Sequence, residues 1–432
     1  MREVTQPVRA RGTMLSAVAV VAALAALLAF APFASATSDP VASGTTSLTL
    51  KKGFFKTLKK KGVKVLKVSP GKVKNRKVTL TVAGGSMDPV NGLGNLELSG
   101  GFKFKRGKKQ APVKGLVLDT AHSKLTGKVA NRQMKIAVVS GLTYGRNGFG
   151  VNVNVKKLKL TNSAVKQLNK KLGYTKSKKG KKSSASASKK DNSKDEKSPF
   201  KKNQLIAGAY SEAQPKTVAL LPSGNVNLAT SFATIKKLAE AKVEIERTGG
   251  TTEPASLPSP TYAFPISGGE ISPTASAGTV LTSGGLKLTQ KLPTGPESAL
   301  TTNITLGNFS FDLSAKTVLV EVILESNASP DLNTGNLGRS SVADISLTGA
   351  TVTSDPATRT VTVDNASATL QPIAAEVLNG FSKVYEGYVV AGLMGGGASE
   401  EEAKAIAAAL LKDAHIVSGD PLGTISFTAQ TQ

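Results

Sequence analysis

The feature that most constrains this chain is an internal repeat. Gly84-Gly85, Pro89, Gly94, Leu96 and Ser99-Gly100-Gly101-Phe102-Lys103-Phe104 return as Gly268-Gly269, Pro273, Gly278, Val280 and Ser283-Gly284-Gly285-Leu286-Lys287-Leu288, each pair 184 positions apart. Upstream, Leu48, Phe55, Leu58, Val63 and Val65 match Leu228, Ile235, Leu238, Val243 and Ile245 at an offset of 180. Downstream, Leu118-Asp119 matches Phe311-Asp312, and Leu160-Thr161, Ala164 and Leu168-Asn169 match Leu370-Gln371, Ala374 and Leu378-Asn379 at an offset of 210. The blocks are collinear and the spacing drifts only between them, as it does where loops take insertions. One structural unit is therefore written twice, and whatever folds the first half must also fold the second.

Each copy opens with an apolar strand and a short helical pattern, carried in the first by Phe54, Phe55 and Leu58. Runs of four to seven residues with period-two alternation follow, such as Val78-Thr79-Leu80-Thr81-Val82, separated by glycine pairs and Asp-Pro or Ser-Pro punctuation that suits hairpin turns. Helical spacing reappears near the end of each copy, at Leu160 to Leu172 and Pro372 to Phe381. The expected fold is mainly β: two tandem antiparallel β-sandwich or barrel domains, each with one or two short helices. The boundaries read as 1–36 for an export signal, 44–213 for the first domain and 217–432 for the second.

The copies diverge most after Asn169 and Asn379. The first carries a Lys/Ser insertion at 175–198, too charged and too poor in apolar residues to repay ordering, and so expected to be disordered. The second carries an expected helix at 399–414, with Ser399 and Glu402 in capping-box spacing and Ala403, Ile406, Ala407, Leu410 and Leu411 in one apolar stripe.

Catalytic signatures are missing. There is no cysteine, and His122 and His415 are the only histidines. Neither a Gly-x-Ser-x-Gly elbow nor a phosphate-cradling loop occurs, so the chain reads as a non-enzyme. Asp331, Asn333 and Gly335 begin like a calcium loop, but the twelfth position is Val342, where a bidentate carboxylate is needed. Tyr385 and Tyr388 stand three apart, in spacing that can share a helix face, and with His415 they are the candidate ligand-binding residues.

The glycine turn before the Ser-Gly-Gly-Phe-Lys-Phe strand, the Leu116 to Asp119 strand and the Leu160 to Asn169 closing segment resemble the haem-transport-associated Htaa domain family of exported actinobacterial proteins. A glycine-containing strand after each closing segment, around 203–210 and 419–427, extends the resemblance over most of 44–432. It implies a secreted or surface haem binder with a tyrosine near the first strand and a histidine after the glycine-rich strand. Those positions hold no tyrosine near Thr57 or Leu58, nor from Ile235 to Leu238, and no histidine near Gly107, Lys108, Gln290 or Lys291. Haem as a cofactor thus rests on the resemblance alone.

Charge and the N-terminus supply the remaining expectations. Arg2, Arg9 and Arg11, an apolar run from Leu15 to Phe30 and Ala34-Ser35-Ala36 have the form of a secretory signal cleaved near Ala36; an uncleaved N-terminal membrane anchor is the alternative. The net charge of +27 is uneven, with 40 basic against 8 acidic residues in 37–213 and 13 against 20 in 214–432. Such a first half attracts polyanions. Lys176, Lys178, Lys179, Lys181, Lys182, Lys189 and Lys190 are the candidate contacts, and anionic envelope polymers or a lipid surface the expected partners. Nucleic acid is disfavoured by export and by the few aromatics among the lysines.

Overall fold

The computed structural model describes residues 38–174, 198–255, 259–328 and 333–432. The first copy contributes β1 (Asp39–Leu50), α1 (Lys52–Lys60), β2 (Val63–Val68), β3 (Lys72–Lys74), β4 (Lys77–Met87), β5 (Gly94–Arg106), β6 (Lys109–Asp119), β7 (Lys124–Val129), β8 (Arg132–Asn147), β9 (Gly150–Leu160), α2 (Asn162–Leu172) and β10 (Leu205–Pro215). Eight of these strands form a closed antiparallel ring in the order β4–β1–β10–β9–β8–β7–β6–β5, with β5 returning to β4. The expected sandwich or barrel is a barrel, and closure leaves these eight strands without free edges.

The second copy repeats the ring. Its elements are β11 (Val218–Ala219), β12 (Asn225–Thr230), α3 (Phe232–Glu240), β13 (Val243–Thr248), β14 (Thr252–Ala255), β15 (Thr261–Ile271), β16 (Gly278–Thr282), β17 (Gly285–Gly295), β18 (Ser298–Asp312), β19 (Thr317–Ser326), β20 (Gly335–Ser346), β21 (Thr351–Asp355), β22 (Thr360–Leu370), α4 (Pro372–Gly395), α5 (Glu400–Leu410) and β23 (Pro421–Gln430). The ring runs β15–β12–β23–β22–β20–β19–β18–β16 and back to β15.

The glycines that define the repeat sit where each ring closes. Gly85 and Gly269 have φ of 116° and 113°, and a Cβ on either would fall inside the carbonyl oxygen of Asn95 or Thr279 on the opposing strand. Past this seam the chain leaves the barrel. The start of β5 pairs with β4, whereas Gly101 to Arg106 pair with β2; in the second copy the same course is split into β16 in the ring and β17, which pairs with β13 outside it. This sheet extension, together with the helix that follows the first strand and the helix that closes the copy, makes a second apolar layer beside each barrel.

Alternation sorts the side chains as the sequence implies. In β9, Val151, Val153 and Val155 are buried while Asn154 and Lys156 face solvent. Helix α1 buries Phe54 and Leu58, and α3 buries Thr234 and Leu238 at the equivalent positions. Thr161 caps α2 by accepting from Ala164 N at 3.2 Å, and Gly173 ends it in the left-handed conformation.

Two helical expectations change. The helix read over 372–381 continues to Gly395, and α5 packs against it. The expected stripe on α5 is narrower: Ala403, Ala407 and Leu411 are buried, whereas Ile406 and Leu410 are exposed. The Ser399–Glu402 capping box is present, with both reciprocal hydrogen bonds.

The barrels meet at a polar joint around one inserted ring. Phe149, at the β8–β9 turn, joins the apolar core of the second barrel. Lys216 N donates to Pro40 O at 2.6 Å, Ala219 N to Asp39 Oδ1 at 3.4 Å, and Arg146 to the carbonyls of Phe149 and Gln432. Burial pushes the Asp39 carboxyl up to about 6, aided by the charges of Asp88 and Glu270 and opposed by Ala219 N and Arg146. A folded-state value above the ordinary 3.8 means that the native state holds this proton more tightly, so stability falls as pH rises from about 4 to 6 and stays lower above. Asp39→Asn should therefore raise the melting temperature at pH 8 and lose that advantage at pH 4. An equal shift at both values would rule out titration of Asp39 as the cause.

Candidate functional site

The second barrel contains an apolar cavity of about 100 Å³, open on one side, between the sheet extension and the helices α3 and α4. Leu228, Thr230 and Tyr262 line its floor from β12 and β15. Thr234, Ile235 and Leu238 come from α3, Ile373, Ala374, Val377 and Leu378 from α4, and Ile245, Leu286, Leu288, Ile304, Leu306 and Phe309 from the extension and β18. The two helices are held apart by backbone contacts to one short stretch. Ser231 N donates to Leu422 O, and Thr234 Oγ1 donates to Pro421 O at 2.6 Å, while Leu370 N, at the end of β22, donates to Asp420 O. An ion pair of 2.6 Å between Lys237 and Asp420 clamps α3 to the same segment. Burial would raise the Asp420 carboxyl, but Lys237 and the Val417 amide outweigh it and hold the group below its ordinary range.

Few polar atoms serve this cavity. The Thr230 hydroxyl donates to Pro260 O at 2.7 Å and the Thr234 hydroxyl to Pro421 O, so both are spent on backbone. Tyr262 is buried; desolvation, with Glu253 adding to it, pushes its phenol up to about 12 despite the nearby Arg247. Gln290 stands where the resemblance implies a histidine. Its amide nitrogen donates to Ala241 O at 2.5 Å and Phe381 O at 2.9 Å, tying the end of α3 to the middle of α4. Its Oε1 is buried without a partner among the described residues.

The first barrel fills the corresponding space. At the repeat offsets, Thr234 corresponds to Phe54, Leu286 to Phe102 and Leu288 to Phe104. Phe200, entering from the chain before β10, meets Phe104 edge-on at 5.1 Å and Phe54 at 6.1 Å. Three of these four rings are absent at the matching positions of the second copy, and the residues that replace them, Thr234, Leu286 and Leu288, all line the cavity.

The sequence-derived candidates lie elsewhere. Tyr385 and Tyr388 do share a face, stacked at 6.3 Å, with the Tyr388 hydroxyl donating to Pro293 O at 2.8 Å. His415 is exposed, between the buried Ala414 and Ile416. None of the three lines the cavity. His122 is bonded to Asp119 at 3.0 Å on the surface of the first barrel. Lys176, Lys178, Lys179, Lys181, Lys182, Lys189 and Lys190 fall outside the described residues, as does Asp331 of the calcium-like turn. No cluster that could hold a metal ion occurs among the described residues. The cavity itself was missed by reading motifs; the signal was the loss of Phe54, Phe102 and Phe104 across the aligned copies.

Of the side chains that can ligate haem iron, the lining holds one, Tyr262, and it has no histidine, cysteine, methionine or lysine.

No family model matches the sequence, and no curated protein matches it. Solved structures from Corynebacterium glutamicum do. The C-terminal domain of HtaA is 10% identical with a TM-score of 0.29, over 41% of this chain and 98% of that one. The haem-binding protein HtaB is 14% identical at 0.28, over 50% and 95%, and the N-terminal domain of HtaA is 14% identical at 0.29, over 48% and 97%.

Proposed function

We propose that this chain is an exported, non-catalytic binding protein that holds an apolar small molecule in its second barrel. The observation that carries this reading is the asymmetry of the copies: one internal space is packed with four phenylalanines and the other is open and walled by carbon. Buried apolar surface contributes roughly 25 cal/mol per Å², so such a wall favours hydrocarbon over water. HtaB is a haem-binding protein, and haem is the ligand the resemblance implies, but the cavity offers Tyr262 as its one iron ligand and, at about 100 Å³, is too small for a porphyrin. Titrating the full chain with haemin and with xenon, the latter followed by NMR, tests this. Saturable xenon binding is expected, with a haemin spectrum unaffected by Tyr262→Phe. A Soret band that Tyr262→Phe removes would restore iron ligation, and no binding of either probe would remove the cavity reading.

A second reading concerns the first barrel, and one observation favours it. Lys64 pairs directly with Lys105 across β2 and β5, Lys114 with Lys128 across β6 and β7, and Lys74 with Lys77 across β3 and β4. Like charges in directly opposed pairs are unfavourable in an isolated sheet, and a polyanion laid over them relieves the repulsion. The proposed partner is an anionic polymer of the cell envelope, held by salt-sensitive contact. Lys64→Glu with Lys114→Glu should lower the salt concentration that elutes the chain from purified envelopes; elution unchanged by the pair would sink this role for the extension.

A further inference from the structure

We infer that the ligand of the second-barrel cavity is the single hydrocarbon tail of an amphiphile, such as a long-chain fatty acid or one chain of a membrane lipid, entering between the starts of α3 and α4. This deepens the proposed function and rests on the cavity being the binding site.

Three observations carry it. First, of the four hydroxyl-bearing residues in the wall, Thr230 and Thr234 direct their hydroxyls to Pro260 O and Pro421 O, and beside Tyr262 and Ser340 as well the surface that a guest meets inside is apolar. A ligand with polar groups along its length would lose its hydration without replacement, whereas methylenes lose nothing. Second, the space is small, about 100 Å³, below the roughly 150 Å³ of a dry cavity that accepts benzene. A rigid macrocycle overfills it; a flexible chain inserts as many methylenes as there is room for and leaves its head outside. Third, the opening is marked. Ile373 lines the cavity yet is 45% exposed, and Phe232 at the start of α3 is 57% exposed. Both helix starts flank the beginning of β23, through Ser231 N to Leu422 O on one side and the pairing of Thr369 with Pro421 on the other. An apolar rim around an apolar pocket fits a chain whose upper methylenes are still partly outside.

The first copy provides the test, since it shows which side chains close the same space without disturbing the fold. Thr234→Phe with Leu288→Phe writes Phe54 and Phe104 of the first barrel into the second. The full-length wild type and this variant are titrated with the fluorescent polyene fatty acid parinaric acid and with haemin, while labelled-lipid transfer between phosphatidylglycerol vesicles separates a free fatty acid from a bilayer lipid as the source. Melting curves report whether the variant folds, and Ile373→Asp, at the rim, gives a second route that leaves the packed interior alone.

The expected result is one parinaric acid bound per chain in the wild type and at least tenfold weaker binding in both variants. Haemin bound in a way the variants abolish, with parinaric acid ignored, overturns the hydrocarbon tail while keeping the cavity as the binding site. Parinaric acid bound equally by wild type and both variants overturns the assigned site. If neither probe binds the wild type, the cavity reading and this inference fall together.

Discussion

Gly269→Ala is expected to cost the second barrel about 3 kcal/mol or more, one of the largest losses available to a single methyl group here. Gly269 has φ of 113°, a conformation that L side chains rarely adopt, and its Cβ would fall on the carbonyl oxygen of Thr279. That oxygen belongs to β16, the strand that closes the ring, so the clash is backbone against backbone and cannot be relieved by a rotamer change. Gly278, one step along the same seam, faces the carbonyl oxygen of Glu270 in the same way. Opening the seam to admit the methyl group would break the pairing of β15 with β16. Calorimetry of the full chain should show the second-barrel transition lowered, and Gly85→Ala should do the same to the first barrel, where Asn95 O plays the part of Thr279 O. A loss under about 1 kcal/mol at either glycine would mean that the seam is slack.

Phe264→Ala is expected to cost about 3 to 5 kcal/mol, through lost apolar burial and the void left behind. Its ring is fully buried on β15 and packs against Phe309 at 4.5 Å, and Phe309 in turn stacks with Phe311 at 6.3 Å. The three rings come from β15 and β18, which are joined only through the short β16, so they hold the ring together across its weakest step. Strands on both sides are fixed by their ladders and cannot collapse into the void. Denaturant unfolding followed by circular dichroism measures the loss; one below about 1.5 kcal/mol would show that the neighbouring rings refill the space.

Much of this architecture is legible in the sequence because its strongest constraints are local. The paired glycines have φ values that glycine tolerates, so they return at a fixed offset whatever surrounds them. Period-two runs identify strands but not their closure, because a sandwich and a barrel bury alternate residues equally well. The end of α4 was hidden for a different reason. Val384, Val389 and Val390, with Gly387 and Gly392, are poor helix formers, so the helix that runs through them to Gly395 is not announced by their propensity. The exposure of Ile406 and Leu410 was hidden too, since apolar spacing marks a helix face without saying how much of it finds a partner.

The candidate site was less legible still. Motif reading looks for residues that are present, such as Tyr385, Tyr388 and His415, and a cavity is an absence of volume. Thr234, Leu286 and Leu288 are ordinary in isolation. They become informative only beside Phe54, Phe102 and Phe104, and Phe200, which completes the packing of the first copy, lies outside the aligned blocks altogether.

The joint between the barrels also has a geometric consequence. Only Lys216 and Thr217 separate β10 from β11, Phe149 is buried in the neighbouring core, and the backbones of Lys216 and Ala219 are hydrogen-bonded to Pro40 and Asp39. Such a connection does not behave as a flexible tether whose ends explore a sphere. Whatever face the first barrel turns toward a surface, the mouth beside Ile373 is carried at one set angle and height above it, and a guest would have a single direction of approach.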